Sequence, residues 1–306
     1  MTRDTESLLP NLIIGGVFKS ATTSLFTYLT EHPEICGSVK KETRFFTRMI
    51  EDEQKPSIEE YHSYFSDCHS TRYRLEASPD YFYGGKQLAT IMRDKLPQDT
   101  RVIFVFREPV ERFVSHFRHE KKFLFLPKNT SITSYVEQWQ NTAEYDSYFF
   151  PLEAGFYNRY LHEWFEIFGD QIKVIFFDQI RDHRNEVLLE IAEWLSIDPG
   201  LFEFEKLHVE NQTVGYKNPL LQWMALTVNR QGEIFWRRNP NLKRRLKEMY
   251  FMLNGAKSTD DLDEEQREKL HYTYSKSNQE ILQLLKRQGY IDFPQWLASE
   301  HNGART

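Results

Sequence analysis

Residues 11–24 read NLIIGGVFKSATTS, an apolar run followed by a glycine-bearing turn and a hydroxyl-rich stretch. The pattern predicts a buried strand over residues 11–17 and a helix over residues 22–30. A turn between a strand and a helix points free backbone N–H groups at one place, where the helix N-terminus adds positive potential. The segment is therefore predicted to bind a phosphate group.

The rest of the chain repeats the strand-then-helix order of this segment. Further strands are predicted at residues 72–76, 101–106 and 171–177, and further helices at 87–95, from Pro109 onward, and at 155–168, 182–195 and 263–288. This alternation predicts an α/β fold with a parallel sheet covered by helices on both faces, followed by a mainly helical C-terminal part. We expect one domain over residues 11–296, with tails at 1–10 and 297–306.

Composition narrows the class of protein. The chain has 306 residues and a net charge of −6, with 39 Lys+Arg against 45 Asp+Glu, which argues against a nucleic-acid-binding protein. The 40% hydrophobic and 27% charged residues exclude a collagenous or fully disordered chain. No signal-peptide pattern and no apolar run of the ~20 residues that span a membrane are visible. We therefore expect a cytoplasmic protein without membrane insertion.

The number of cysteines also favours an intracellular location. Cys36 and Cys68 are the two cysteines of the chain. Two are too few for a disulfide framework or for a four-cysteine zinc site, which favours a reducing compartment.

The charged residues of the two predicted strand ends indicate the kind of anion. Lys19 adds a full positive charge to the first turn. The alternative interpretation of the same residues is a helix N-terminus with a solvated lysine and no bound anion. The turn is not a Walker A loop, since Phe18 stands where a glycine must precede the lysine. The strand at residues 101–106 ends in Arg107, where a magnesium-nucleotide enzyme would place a carboxylate. This favours an anion bound without metal.

A second anion site is predicted at the end of the strand at residues 101–106. Arg107 follows this strand, and Ser115 falls about two turns into the next helix. Ligands of open α/β sheets bind at the carboxyl ends of the strands, and an arginine recognises phosphate through two parallel hydrogen bonds. The alternative is a surface arginine paired with Glu108 or Glu111.

Together the two sites resemble those of the PAPS-dependent sulfotransferases. Residues 19–24 (KSATTS) look like that family's 5′-phosphosulfate loop, and Arg107 with Ser115 look like its 3′-phosphate pair. Further segments are similar to those of heparan-type and bacterial members: KKETRFF at 40–46, EASPDYF at 76–82, FFD at 176–178 and FPQW at 293–296. The resemblance covers residues 11–296 and is strongest over 11–120.

The resemblance implies a P-loop-like sulfotransferase fold and a reaction. A sulfuryl group moves from PAPS to an acceptor hydroxyl or amine, and adenosine 3′,5′-bisphosphate (PAP) is released without a metal ion. The implied donor-binding residues are Lys19, Ser20, Ala21, Thr22, Thr23, Ser24, Arg107 and Ser115, with Lys217 from a later loop at 211–219. Lys19 would stabilise the departing phosphate, and Glu42 would act as general base.

The acceptor is less well indicated. Lys40, Lys41 and Arg44 are expected to keep Glu42 ionised and to attract an anionic acceptor, unless this is only a solvated charge cluster. Arg44 stands where the glycosaminoglycan enzymes usually have histidine, and Ala77 where they often have lysine. A carbohydrate or another small hydroxylated metabolite is therefore the expected acceptor class.

Several residues carry weaker signals. His116 and His119 lack a third metal ligand and are expected to be solvated or packed. Glu76 is interpreted as a second acid, as a group that orients a lysine, or as a surface residue. The basic stretch at 237–247 is either a solvated helix face or a binding surface for a polyanionic acceptor.

Two other functions fit the same residues. A small-molecule or nucleotide kinase shares the strand–turn–helix phosphate site but requires magnesium. A non-catalytic module that holds a bisphosphorylated nucleotide would share the binding residues but show no turnover with PAPS.

Overall fold

The computed structural model describes residues 8–69, 71–140, 150–207, 215–232, 235–236, 239–256 and 260–298. The strands are β1 (Leu12–Gly16), β2 (Ile35–Gly37), β3 (Tyr73–Ala77), β4 (Arg101–Phe106), β5 (Ile172–Phe176), β6 (Gly215–Tyr216) and β7 (Gly255–Ala256). The helices are α1 (Thr22–Thr30), α2 (Phe45–Glu51), α3 (Ile58–Ser63), α4 (Gly85–Lys95), α5 (Pro109–Lys122), α6 (Ile132–Gln140), α7 (Asn158–Phe168), α8 (Phe177–Asp182), α9 (Arg184–Leu195), α10 (Pro219–Gln231), α11 (Pro240–Asn254), α12 (Glu264–Arg287) and α13 (Gln295–Ala298).

Five strands form one parallel sheet in the order β2-β3-β1-β4-β5. The first strand lies in the middle, and Leu12 pairs with Leu75 on one side and with Arg101 on the other. Its residues are all buried, as expected for a central strand of a sheet that is covered on both faces. All five strands run the same way, so the carboxyl ends of β1 and β4 meet at one edge.

Two apolar layers cover the sheet. Alternate residues of each strand point to opposite faces, so Ile13 packs in one layer while Leu12 and Ile14 pack in the other. The first layer contains side chains of α4 and α7, among them Trp164. The second contains side chains of α1 and α9, such as Leu25. This confirms the predicted α/β fold with helices on both faces of a parallel sheet.

The four predicted strands are present within one or two residues of their expected bounds, and the helix at Thr22–Thr30 begins and ends as predicted. Pro109 is the first residue of α5, the position where its fixed backbone angle fits a helix. The three-residue β2 and the short α2 and α3 were not predicted, because elements of this length carry too little periodicity. The helix expected over 182–195 is interrupted at His183, which separates α8 from α9.

The pairing of the two cysteines was not predicted. Cys36 and Cys68 form a disulfide, with their Cα atoms 5.6 Å apart. The edge strand β2 carries Cys36, and the turn after α3 carries Cys68. The pairing joins residues 32 positions apart, which a count of cysteines could not reveal. The argument for a reducing compartment therefore loses its premise.

No helix in the described part of the chain is both long enough and apolar enough to cross a bilayer. The expected tails lie mostly outside the described residues, so the division into one domain and two tails stays a prediction.

Candidate active site

The first turn leaves β1 at Gly16 and is pinned against the neighbouring strand. The Val17 amide donates to the carbonyl of Val105 at 3.0 Å. A side chain at Gly16 would come within 2.6 Å of the Phe82 Cβ, so this position requires glycine. Lys19 and Ala21 have positive φ angles of 72° and 64°. Residues without glycine's freedom adopt this backbone at a cost, and they concentrate at functional sites.

The two predicted anion sites lie against each other. An Nη1 hydrogen of Arg107 is donated to the carbonyl oxygen of Lys19 at 3.3 Å. On α5, Nδ1 of His119 lies 3.1 Å from Nζ of Lys19. Ser115 is buried and precedes His119 by four residues, so both lie on the helix face that meets the turn. The structure thus brings Lys19 and Arg107 together. Ser115 shares a helix face with His119, and the roles of all three predicted residues stay predictions.

Polar atoms without partners mark the same place. Oγ of Ser20 and Nε of Arg107 are buried and have no hydrogen-bond partner within the described ranges. Ten other buried polar atoms of the described ranges also lack a partner, so these two atoms are compatible with a bound ligand but do not require one. The guanidinium carbon of Arg107 also lies over the Phe177 ring, 4.4 Å from its centre.

The alternative of a surface arginine paired with an acid is met in part. Arg107 does pair with Glu111, at 3.7 Å, but its side chain is only 17% exposed. Arg267 also binds Glu111. Both carboxylate oxygens of Glu108 accept backbone N–H groups of the first turn of α5, at 2.9 and 2.6 Å, so this residue caps the helix.

Electrostatics of the site favour an anion. Burial lowers the pKa of Lys19 to about 8, with further contributions from the positive charges of Lys122 and Arg107. Burial and the Lys19 ammonium lower the pKa of His119 to about 2, so its neutral ring accepts a hydrogen bond from the lysine. Three cations that disfavour one another's charge are stabilised when a phosphate group binds among them.

Glu42 lies near this cluster in an unusual backbone conformation. Its φ is 61°, its amide donates to the carbonyl of Ala77 at 2.9 Å, and its carboxylate accepts from Nζ of Lys41 at 2.7 Å. The Glu42 side chain is about half exposed, with 46% of its area open to solvent. Its negative charge also acts on Lys19, raising the lysine pKa against the effect of burial. The charge of Glu42 thus acts on Lys19 while half of its side chain stays open to solvent, and its role as general base stays a prediction.

Arg44 is bound to two other carboxylates. Its Nε donates to Asp80 at 2.9 Å and its Nη2 to Glu51 at 3.0 Å. Lys40 lies over the ring of Tyr64, 5.5 Å from its centre. Of the three expected neighbours, Lys41 is the one shown to bind the Glu42 carboxylate.

The buried carboxylate of Glu76 holds the segment after Glu42 in place through hydrogen bonds. Glu76 is fully buried and accepts hydrogen bonds from the hydroxyls of Thr43 at 2.9 Å, Tyr61 at 2.9 Å and Ser78. Ser78 Oγ in turn accepts the Arg44 amide at 3.0 Å. Burial raises the pKa of Glu76. The surface interpretation of Glu76 was therefore wrong, and the groups that face its carboxylate are hydroxyls.

The expectation for the two histidines was incomplete. Both rings pack edge-on against Phe18, but His119 also binds Lys19. Burial lowers the pKa of His116 to about 4, and its Nε2 lies 3.6 Å from Glu120. The helical spacing of Ser115 and His119 carried a signal that sequence reasoning did not use.

The other predicted groups are less closely placed. Lys217 is exposed, its amide donates to the carbonyl of Asn254 at 2.8 Å, and its carbonyl accepts from Lys128 at 2.7 Å. Its role at the donor stays a prediction. Residues 211–214 of the proposed loop and residues 237–238 of the basic stretch lie outside the described ranges. Across the described ranges, no group of three or more His, Cys, Asp or Glu side chains is arranged to hold a metal ion.

The chain is similar in sequence to known sulfotransferases. The chain is 26% identical over 160 residues to heparan sulfate glucosamine 3-O-sulfotransferase 3B1 of Mus musculus, which covers 52% of this chain and 39% of that protein. It is 31% identical over 122 residues to the membrane-associated sulfotransferase kil1 of Dictyostelium discoideum, covering 38% of this chain and 24% of that one. No family model matches the chain.

The fold has a counterpart among solved structures. A sulfotransferase from Alicyclobacillus acidocaldarius superimposes with a TM-score of 0.57 and 23% identity, covering 74% of this chain and 95% of that one.

One further sequence relative, the bifunctional heparan sulfate N-deacetylase/N-sulfotransferase of Drosophila melanogaster, aligns with 98% of this chain at 22% identity. The alignment covers 28% of that protein's own length. The chain thus spans about two fifths or less of the curated relatives named here.

Proposed function

We propose that this chain is a sulfotransferase that transfers a sulfuryl group from PAPS to an acceptor hydroxyl or amine and releases PAP. The single observation that carries the proposal is the contact between Arg107 and the carbonyl of Lys19. It joins the end of β4 to the turn after β1, so that one ligand with two phosphate groups can span both.

The donor is held by two groups of residues. The N–H groups of the turn, with Lys19 and Ser20, hold the 5′-phosphosulfate, and the unpartnered Oγ of Ser20 supports this assignment. Arg107 and Ser115 hold the 3′-phosphate, and the unpartnered Nε of Arg107 supports it in the same way. Holding both ends of the nucleotide fixes the sulfur for attack from the opposite side.

The chemical step follows from the charges around that sulfur. The acceptor oxygen or nitrogen forms a bond to sulfur while the bond from sulfur to the bridging oxygen of the 5′-phosphate breaks. Glu42 takes the proton that the acceptor loses. The Lys19 ammonium stabilises the negative charge that grows on the departing phosphate, and His119 fixes the direction in which that ammonium points.

Binding and turnover test the proposal separately. Thermal-shift titration is expected to show that PAP stabilises the chain more than adenosine 5′-monophosphate, which lacks the 3′-phosphate. Arg107→Ala is expected to remove that difference. Transfer of label from PAPS to an acceptor then separates an enzyme from a binding module, and activity that persists in EDTA separates it from a kinase. Equal stabilisation by the two nucleotides would contradict the assigned donor site.

Glu42→Gln tests the proposed base. We expect turnover to fall about 10²–10³-fold while PAP still stabilises the chain as before. Glu53→Gln changes another exposed carboxylate of the chain and serves as the matched control. Near-normal turnover of Glu42→Gln would exclude Glu42 as the base.

The acceptor class rests on the relatives. Two of the three curated relatives, from Mus musculus and Drosophila melanogaster, are heparan sulfate sulfotransferases, and heparan sulfate is a carbohydrate. Lys41 adds positive charge beside Glu42. We therefore propose a hydroxylated carbohydrate or similar metabolite as the acceptor. A screen of sulfated and neutral oligosaccharides with labelled PAPS tests this choice, and exclusive labelling of non-carbohydrate acceptors would contradict it.

The location is a separate proposal. A cytoplasmic location was expected from the sequence, but the Cys36–Cys68 disulfide is a feature more typical of an oxidising compartment. We propose that the natural compartment is oxidising. Alkylation of free thiols in the native protein tests this, because two reactive cysteines would favour the cytoplasm.

A further inference from the structure

Two helices beside the active site carry an unusual number of apolar side chains on the surface. More than half of the large apolar residues that are exposed in the described ranges belong to α10 and α11. They are Leu220, Leu221, Trp223, Met224 and Val228 on α10 and Leu242, Leu246, Met249, Met252 and Leu253 on α11. Scattered apolar residues on a surface are ordinary, but a concentration of this kind marks an interaction site.

On α11 the apolar residues form a continuous stripe. Leu242, Leu246, Met249 and Leu253 follow one another at intervals of four, three and four residues, which places them on one helix face. They are 44%, 43%, 54% and 74% exposed. A face with this spacing normally packs against a core, so its exposure means that it meets something other than the described part of this chain.

One flank of α11 is already occupied. Tyr250 donates its hydroxyl hydrogen to the side chain of Gln222 on α10, and the buried Asn254 binds the backbone of Asn218. Gln222 also donates to the carbonyl of Lys122 at the end of α5. The α10–α11 pair is thus anchored to the helix that carries Ser115 and His119, while the stripe of α11 stays exposed.

The charge of this segment has the opposite sign from that of the whole chain. Residues 219–256 contain seven lysine or arginine residues and two glutamates, whereas the chain has a net charge of −6. Around α11, helical spacing puts Arg245 on the open side of the stripe and Lys243 and Lys247 on the side of Tyr250 and Asn254, and all three are exposed. The apolar stripe therefore lies between exposed cations, of which Arg245 is on the open side.

We propose that the α10–α11 pair docks on a lipid bilayer that contains anionic lipids. The stripe enters the boundary between headgroups and acyl chains, and the bordering lysine and arginine side chains meet the lipid phosphates. Docking of this kind brings the Lys19 site next to the membrane surface. The proposed docking is argued from the exposure and charge of α10 and α11, so it does not depend on the proposed sulfuryl transfer.

The combination of an apolar stripe with neighbouring cations disfavours two other binding partners, a soluble glycan and a second copy of the chain. A soluble polyanionic glycan would be attracted to the basic residues but would leave the leucine and methionine side chains in water. A second copy of the chain in a symmetric dimer would set the same basic borders against each other. A bilayer with anionic lipids meets both the apolar stripe and its cationic borders.

Sedimentation with vesicles tests the proposal on the full chain. We compare vesicles of phosphatidylcholine alone with vesicles in which about a third of the lipid is phosphatidylglycerol. The chain is expected to sediment with the anionic vesicles at least tenfold more strongly, and added salt is expected to weaken this binding. Equal binding to both kinds of vesicle would overturn the proposal.

Two double variants separate the apolar from the charged contribution. Met249→Glu with Leu253→Glu removes the stripe, and Arg245→Glu with Lys247→Glu reverses the border charge. Each is expected to reduce binding to anionic vesicles at least tenfold. Ile291→Glu, at a position 93% exposed, and Lys276→Glu on α12 are the matched controls and are expected to bind as the parent chain does. The thermal midpoint of each variant verifies folding.

Three results would overturn the proposal. The first is vesicle binding of the stripe variant equal to that of the parent. The second is retention on heparin that depends on the charges alone, with vesicles unbound. The third is a dimer in light scattering that the stripe variant dissociates. The second result would assign the segment to a glycan, and the third would assign it to a second copy of the chain.

Discussion

The ammonium of Lys19 lies 3.1 Å from the ring nitrogen Nδ1 of His119, a residue one hundred positions later in the chain. The ring is neutral, because burial and the lysine charge lower the pKa of His119 to about 2. A neutral acceptor can direct the ammonium without cancelling its charge. This arrangement keeps Lys19 available for an anion while fixing where its hydrogens point.

Loss of this acceptor is expected to slow the transfer step. His119→Ala removes one charge-assisted hydrogen bond, worth about 1.5 kcal/mol, so kcat should fall about tenfold. Phosphate binding by the turn remains, so the KM for PAPS should change little. Initial rates at saturating acceptor measure both constants, and His119→Asn, which can offer an acceptor oxygen, is expected to recover part of kcat. An unchanged kcat in His119→Ala would contradict this role.

The pH dependence of the reaction should report on Lys19. The pKa of this lysine in the free protein is lowered to about 8, so its charged form is lost as the pH rises through that value. Because kcat/KM reflects the free enzyme, kcat/KM for PAPS should fall above about pH 8, and by tenfold per pH unit well above it. Arginine stays charged in this range, so Lys19→Arg should lack this alkaline limb even if its rate is lower. A limb that persists unchanged in Lys19→Arg would belong to another group.

Removal of the Glu76 carboxylate should weaken both the fold and the active site. Glu76→Ala leaves the buried hydroxyls of Thr43, Ser78 and Tyr61 without their acceptor, at a cost of about 2–4 kcal/mol in the free energy of unfolding. The segment that carries Glu42 would also lose its support, so kcat should fall while PAP still binds.

Glu76→Gln keeps the side-chain shape and one acceptor oxygen, and it should lose less stability than Glu76→Ala. Urea unfolding together with kcat separates the two effects. An alanine variant as stable as the parent would show that the network does not support the segment.

The disulfide should contribute measurably to stability. It closes a loop between residues 32 positions apart, and loop-closure entropy for that length corresponds to about 3–4 kcal/mol. Cys36→Ser with Cys68→Ser should therefore lower the free energy of unfolding by an amount in this range. Dithiothreitol should have the same effect on the parent chain and none on the double variant. A parent chain whose unfolding does not respond to dithiothreitol would mean that the cysteines are not paired.

Much of the fold was readable from local pattern. The strands at the middle of the sheet consist of aliphatic and aromatic residues in continuous runs, which few other structures accommodate, and Pro109 marked the start of α5. The short β2 and α2 were missed, because their stability comes from packing against neighbours rather than from their own residues.

Lys19, Arg107 and Ser115 could be singled out from the sequence because each follows or faces the end of a predicted strand, where a parallel sheet binds its ligands. Their meeting in one site depends on β1 and β4 being neighbours, which strand order decides and local sequence does not. Tertiary structure also decides three other features: the contact of His119 with Lys19, the burial of Glu76 and the pairing of Cys36 with Cys68. Each joins residues that are distant in the chain, and only the folding of intervening segments sets such distances.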